Sequence, residues 1–255
     1  MFIAYVFLAL FALLLIYLLV KSAKGALFSQ KRGHKPLSPL AEVADKYSFD
    51  AEALFTQVAE TAGEAEYAVI DFQTTGLSTT PGMEDRVLQV AWLILDGNMA
   101  LVDKKIFMVL QDTVGSAEAQ RVHHIRLSEL RKYGQPEEQV MSDLWRSVKD
   151  IPTLVFHNAE YDLAIWRGSM RRYAPEWIPL LNAKDVLCTM CYFPSHYDEF
   201  PRYPSLMHLS SALSGIPEHE LVTSFPVAWR NACLTRYCLE QIKRLESSEQ
   251  VEHSK

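Results

Sequence analysis

The hydrophobic pattern divides the chain before any single residue is considered. Residues 2–20, "FIAYVFLALFALLLIYLLV", are apolar on every face, with no charge, Gly or Pro. Nineteen residues at 1.5 Å each span about 28 Å, close to the roughly 30 Å of a bilayer core. The run therefore reads as a transmembrane anchor. A signal peptide would need a basic start, an apolar core of about 7–15 residues and a small-residue cleavage site; nothing basic precedes this run, and it is too long. Residues 21–63 follow as a basic linker rich in Gly, Ser, Pro and Lys and a helical stretch from about 40 to 62. A folded domain is expected over 64–246, with an acidic, frayed tail at 247–255.

Within the domain the period changes repeatedly. Residues 67–71 and 87–95 ("VLQVAWLIL") read as strands. "DGN" at 96–98 is a hairpin turn, and "KKIFMVL" is its return strand. A helical stretch runs from about 117 to 149, broken near Gly134 and Pro136. "PTLVFHN" is a short buried strand, and "AEYDLAIWRGSMRRY" is a helix with Tyr161, Ile165 and Trp166 towards the core. "KDVLCTMCYF" and "VAWRNACLTRYCLEQIKRL" read as helices. Antiparallel strands followed by alternating strands and helices predict a mixed α/β sheet covered on both faces.

Charge sharpens this picture. Five of the 25 basic residues (Lys21, Lys24, Lys31, Arg32 and Lys35) fall within residues 1–36, which hold no acid. The remainder carries 20 basic and 31 acidic residues, a net of −11. A basic cluster just after a span places the body on the cytoplasmic side, here of a bacterial-type inner membrane. The acidic body excludes a broadly basic nucleic-acid surface, though not a small acidic site that reaches phosphates through metal ions.

The candidate chemistry begins at "YAVIDFQTTGL", residues 67–77. A strand ends on Asp71, and Thr74, Thr75 and Gly76 supply turn chemistry. A carboxylate two residues on would share a metal ion from the same face, but that position is Gln73. This stretch resembles the first motif, D-x-E-T-T-G-L, of the DEDD superfamily of 3′–5′ exonucleases, of the DEDDh type that includes the proofreading exonucleases. "HNAEYD" at 157–162 resembles the second motif, H-N-A-x-F-D, with Tyr161 for Phe. "PVAWRNA" at 226–232 stands where H-x-A-x-x-D-A belongs. "AQRVHHI" resembles the segment A-x-x-I-H-G-I, with His124 for Gly. "KDVLCTM" and "PSLMHLSSALSGIP" are similar to two further family segments, so the likeness covers nearly all of 66–245.

The resemblance implies a ribonuclease H-like fold and a two-metal site. In the family, four carboxylates bind two Mg²⁺ or Mn²⁺ ions that stabilise the attacking and leaving oxygens of a phosphodiester, and a His serves as base. Carried over by position, Asp71 and Asp162 remain as catalytic residues and metal ligands. Gln73, Asn231 and Pro226 replace Glu, Asp and His, and Gln89 stands where a supporting acid often lies. Thr74, Thr75, Gly76, Leu77, His157 and Asn158 would contact the substrate, a single-stranded 3′ end. Two readings stand. One is a non-catalytic or very weak module that binds nucleic acid or a protein partner; the other is an active metal-dependent exonuclease on DNA or RNA ends. Glu160, His219 and Glu220 are the candidates for rescue. Mg²⁺ or Mn²⁺ belongs to the active reading, and the other reading allows none.

Three remaining features carry two readings each. Cys188 and Cys191 form C-x-x-C, with Cys233 and Cys238 further on; apolar neighbours in predicted helices favour buried reduced thiols over a zinc site. His123 and His124 suit a nucleotide contact or a polar helix connection. "YFPSHYDEFPRYP" at 192–204 suits base stacking, a partner contact, or packing on its own domain.

Overall fold

A computed structural model describes residues 63–223 and 225–253. The expected anchor at 2–20, and the linker and helix up to residue 62, lie outside the described residues. Among those described, no helix is long and apolar enough to cross a membrane.

The domain is built on five strands: β1 (Ala65–Thr74), β2 (Val87–Asp96), β3 (Leu101–Met108), β4 (Thr153–Phe156) and β5 (Asp185–Cys188). Their spatial order is β3-β2-β1-β4-β5. β1, β2 and β3 pair antiparallel; β4 joins β1, and β5 joins β4, in parallel. Helices α1 (Ala117–His123), α2 (Leu127–Tyr133) and α3 (Glu137–Val148) follow β3. α4 (Ala159–Tyr173) crosses over from β4, and α5 (Ile178–Asn182) leads into β5. α6 (Thr189–His196), α7 (Leu206–Ser214) and α8 (Val227–His253) complete the domain.

Period-two alternation sorts β1 between two cores. Ala68, Ile70 and Phe72 pack with Trp92, Leu144, Trp145, Ile165 and Trp166, beneath α3 and α4. Tyr67 and Val69 pack with Ala91, Leu93, Ala228, Trp229 and Ala232, beneath α8. Both faces are covered, as the sequence predicts, and β2 is accordingly buried along its whole length.

Three expectations change. The first strand does not end on Asp71 but pairs with β2 as far as Thr74, so Asp71 lies inside it, opposite Ala91. "KDVLCTMCYF" is not one helix: its first half is β5, and α6 begins at Thr189. Four residues are too few to display a period, and this edge strand owes its extended form to pairing with β4. The stretch from 117 to 149 breaks once more than expected, at His124, which takes a left-handed φ of 57° and closes α1. His124 occupies the position of the family Gly noted above, and the backbone still adopts the conformation that Gly accommodates most easily. In the 192–204 stretch, Phe193, Tyr197 and Phe200 are buried against Leu206 and Leu209, so those rings pack on their own domain, while Tyr203 stays exposed.

Candidate active site

Asp71 lies on the α8 side of β1, with Gln73 two residues on along the same face and directly opposite Gln89 of β2. α8 packs over this face through Ala228 and Ala232 and brings Asn231 to the same point. Gln73 Nε2 donates to Asp71 Oδ2 at 2.6 Å, and Asn231 Nδ2 donates to Asp71 Oδ1 at 3.2 Å. Arg230 Nε and Nη2 donate to Asn231 Oδ1 at 3.3 and 3.2 Å, which turns the Asn231 amide nitrogen towards Asp71. Both carboxylate oxygens of Asp71 therefore meet amide donors. An amide nitrogen offers no lone pair to a metal, and hard cations need oxygen ligands.

Asp162 comes from the first turn of α4 and is buried. Desolvation raises the Asp71 carboxyl to about 7, against the opposing pull of the Gln73 and Asn231 amides and the Arg230 guanidinium. Burial and the neighbouring Asp71 push Asp162 well above the usual carboxylate range. At neutral pH the pair carries less than two full negative charges.

These groups line a cavity of about 500 Å³. Asp71, Gln73, Thr74, Gly76, Leu77, His157, Asn158, Asp162 and Asn231 all lie on its wall. Leu77 and Val122 bring exposed apolar surface to it. Thr75 and Pro226 are not on the wall. The Thr75 hydroxyl instead donates to Asp85 Oδ1 at 2.6 Å and accepts from the Arg86 N–H at 2.9 Å, pinning the turn. A Cβ at Gly76 would come within 2.6 Å of Asp85 Oδ2, so a larger residue there would displace the carboxylate that the Thr75 hydroxyl and the Ser78 N–H hold. Pro226 is exposed at the start of α8, where its carbonyl accepts the Arg230 N–H. Glu160, His219 and Glu220 also stand off the wall.

Several wall residues hold the scaffold. Tyr161 Oη donates to the Gly76 carbonyl at 2.7 Å and contacts Thr74 Oγ1, tying α4 to the motif turn. His157 is clamped by Thr189 Oγ1 at Nδ1 and by the Pro204 carbonyl at Nε2, 3.0 Å each. The carbonyl fixes a proton on Nε2, so Thr189 donates to Nδ1, and burial holds the ring neutral with a pKa lowered to about 4. His123 accepts the Ile125 N–H at Nδ1 and donates from Nε2 to Val114 O, so both ring nitrogens serve the helix connection. Gln89 Oε1 accepts the buried Ala228 N–H at 3.0 Å and caps α8. Sequence reasoning missed Arg230 and the capping role of Gln89. Arg230 sits inside the quoted "PVAWRNA" but carries no motif signal, and the cap joins positions 139 residues apart.

The donor set does not fit a pair of metal ions: two carboxylates remain, and one has both oxygens engaged by amides. Among the described residues, no group of three or more His, Cys, Asp or Glu is placed to hold a metal.

The model of the RNase T exonuclease family matches residues 68–220. The chain belongs to the exonuclease family. Its motifs are those of the DEDD 3′–5′ exonucleases, and the five-stranded sheet with flanking helices is the ribonuclease H-like exonuclease fold. No curated protein matches significantly. Among solved structures, E. coli exonuclease I in complex with a dA16 oligonucleotide superposes with a TM-score of 0.55 at 18% identity, covering 71% of this chain and 41% of that one. The zinc-bound E. coli exonuclease I–ssDNA complex gives a TM-score of 0.55 at 19% identity, with the same coverage. An apo exonuclease I covers 70% of this chain and 42% of its own, again at a TM-score of 0.55, with 18% identity. This exonuclease-family chain thus spans about two fifths of the length of those structures, and the likeness is one of fold.

Proposed function

We propose that this exonuclease-family chain is a membrane-anchored module whose two-metal site has been neutralised. On this reading it binds nucleic acid at a single-stranded 3′ end, or a protein partner, with little or no cleavage. The observation that carries the proposal is the pair of amides at Asp71. Glu-to-Gln and Asp-to-Asn exchanges preserve shape, and here the resulting amides replace metal as the counterpart of the remaining carboxylate. Pro226 cannot act as a base, and loss of general-base catalysis typically costs about 10²–10⁴ in rate. The cavity and its exposed Leu77 still offer a seat for a strand end. The E. coli exonuclease I structures hold single-stranded oligonucleotides on a similar fold, which supports a nucleic-acid ligand.

One observation favours the alternative, an active exonuclease that uses Mg²⁺ or Mn²⁺. Asp71 and Asp162 still face one cavity, and Mg²⁺ can bind through one or two carboxylates plus substrate phosphates. The deciding experiment takes the full chain, solubilised in detergent, with a 3′-labelled single-stranded oligonucleotide and either ion. The expected result is cleavage no faster than that of an Asp71→Ala control. Turnover at about 1–10³ per second, lost in that control, would establish the enzyme instead.

A further inference from the structure

The C-x-x-C pair departs from the sequence reading of buried thiols. Cys233 and Cys238 are buried, but Cys188 is half-buried and Cys191 is exposed. Cys188 is the last residue of β5 and the N-cap of α6, and Cys191 lies in the first turn of that helix. β4, α4 and β5 form a parallel βαβ unit. A C-x-x-C beside such a unit has the layout of a thiol–disulfide redox site. Residues three apart at a helix start are neighbours on its surface, which brings the Cys188 and Cys191 thiols close enough for the first to raise the pKa of the second.

Three residues of the same stretch, Cys188, Thr189 and Met190, hold His157 of the cavity wall. Cys188 Sγ–H donates to the His157 carbonyl at 3.1 Å, and the Met190 N–H donates to that carbonyl at 3.0 Å. Thr189 Oγ1 holds the His157 ring. A change at Cys188 therefore reaches the cavity through one residue.

We infer that Cys188 and Cys191 form a redox-active dithiol that closes to a disulfide and thereby alters the seating of His157. The oxidant is a low-molecular-weight disulfide, RSSR. The Cys191 thiolate attacks one sulfur of RSSR and releases RS⁻, which takes up a proton. The Cys188 thiolate then attacks the Cys191 sulfur and displaces the second RS⁻, which is protonated in turn. The protein dithiol loses two electrons and two protons, and RSSR becomes two RSH. Closure removes the Cys188 S–H donor from the His157 carbonyl. Partial burial, the Cys188 thiol and the Glu160 carboxylate hold the Cys191 thiol above its ordinary range, so mildly alkaline conditions favour the first attack. The inference stands whatever the cavity binds.

The test treats the full chain with oxidised glutathione at pH 8.5, then alkylates it under denaturing conditions and maps the peptides. The expected product is a peptide spanning 188–191 that is two hydrogens lighter and is restored by dithiothreitol. Cys233 and Cys238 should alkylate throughout. A Cys191→Ser variant should show no internal bond. The His157 imidazole NMR signals should move on oxidation of the wild type and stay fixed in Cys191→Ser. Full alkylation of both thiols after treatment, or a stable glutathione adduct on Cys191 beside a free Cys188, would overturn the dithiol. A disulfide that leaves the His157 signals unmoved would overturn the coupling to the cavity.

Discussion

At the scale of single residues, the site turns on what Gln73 and Asn231 do to Asp71. Their amides make a local network that a four-carboxylate site would not make, and the network predicts how function could return. Gln73→Glu, Pro226→His and Asn231→Asp together should raise Mn²⁺-dependent cleavage of a single-stranded end. Each reversion alone should do little, because such groups act as a unit. In the unaltered chain, 10 mM Mg²⁺ should leave Tm nearly unchanged. A site with a dissociation constant near 0.1 mM would gain about 2.7 kcal/mol at that concentration, so a large Mg²⁺-specific shift abolished by Asp162→Ala would show a surviving metal site. The same two acids set a pH dependence. Asp71 is raised to about 7, and Asp162 is raised well above its ordinary value. Between pH 4 and 7 the folded state therefore holds protons that the unfolded chain has released, so the contribution of these groups to stability falls as pH rises through that window. Asp162→Asn cannot ionise in either state. Its stability relative to wild type should thus climb from pH 4 towards neutrality in urea titrations; a constant difference would mean that Asp162 is not held protonated.

At the scale of elements, two joints carry the site, and they differ in how far the sequence reveals them. His124 was legible as a departure from the family Gly, but the α1 stop there was not, since nothing local marks a His for positive φ. A non-Gly residue in the left-handed region costs about 1–2 kcal/mol. His124→Gly should recover about 1 kcal/mol of that, read as a rise in the urea midpoint, and unchanged stability would show that the His side chain offsets the strain. The α8 joint was illegible, because a glutamine of β2 caps a helix 139 residues later through tertiary packing alone. Gln89→Ala should cost about 0.5–2 kcal/mol, as loss of a helix cap does, and Gln89→Glu, which keeps the acceptor, should cost less. Strand β5 was missed for a similar reason: its extended form comes from pairing with β4, while its own four residues show no period. By contrast, the strand character of 67–71 and of β2 was readable directly, although β1 runs on past Asp71 to Thr74; the face that Asp71 and Gln73 share follows from their spacing of two.

At the scale of the whole molecule, the acidic body and the basic, apolar N-terminus ask different things of their surroundings. A body of net −11 does not attract nucleic acid over a broad surface, so any strand it binds must be held in the cavity or brought near by location. Tethering supplies such a location by raising the local concentration of one class of encounter. Residues 2–20 are proposed to span the membrane once, with the N-terminus outside and the domain in the cytoplasm. No positive charge precedes the run, and five follow within about 15 residues, the range over which such charges set orientation. That side also holds nucleic-acid ends and keeps thiols reduced, which suits both the cavity and a dithiol at Cys188 and Cys191 awaiting an oxidant. The test fuses a reporter active only in the periplasm, and separately one active only in the cytoplasm, after Lys255, and combines both with carbonate extraction. Cytoplasmic activity in a carbonate-resistant protein of full length is the expected outcome. Periplasmic activity, or release of a shortened soluble protein, would make the segment a cleaved leader and place the exonuclease domain away from its proposed nucleic-acid ligands.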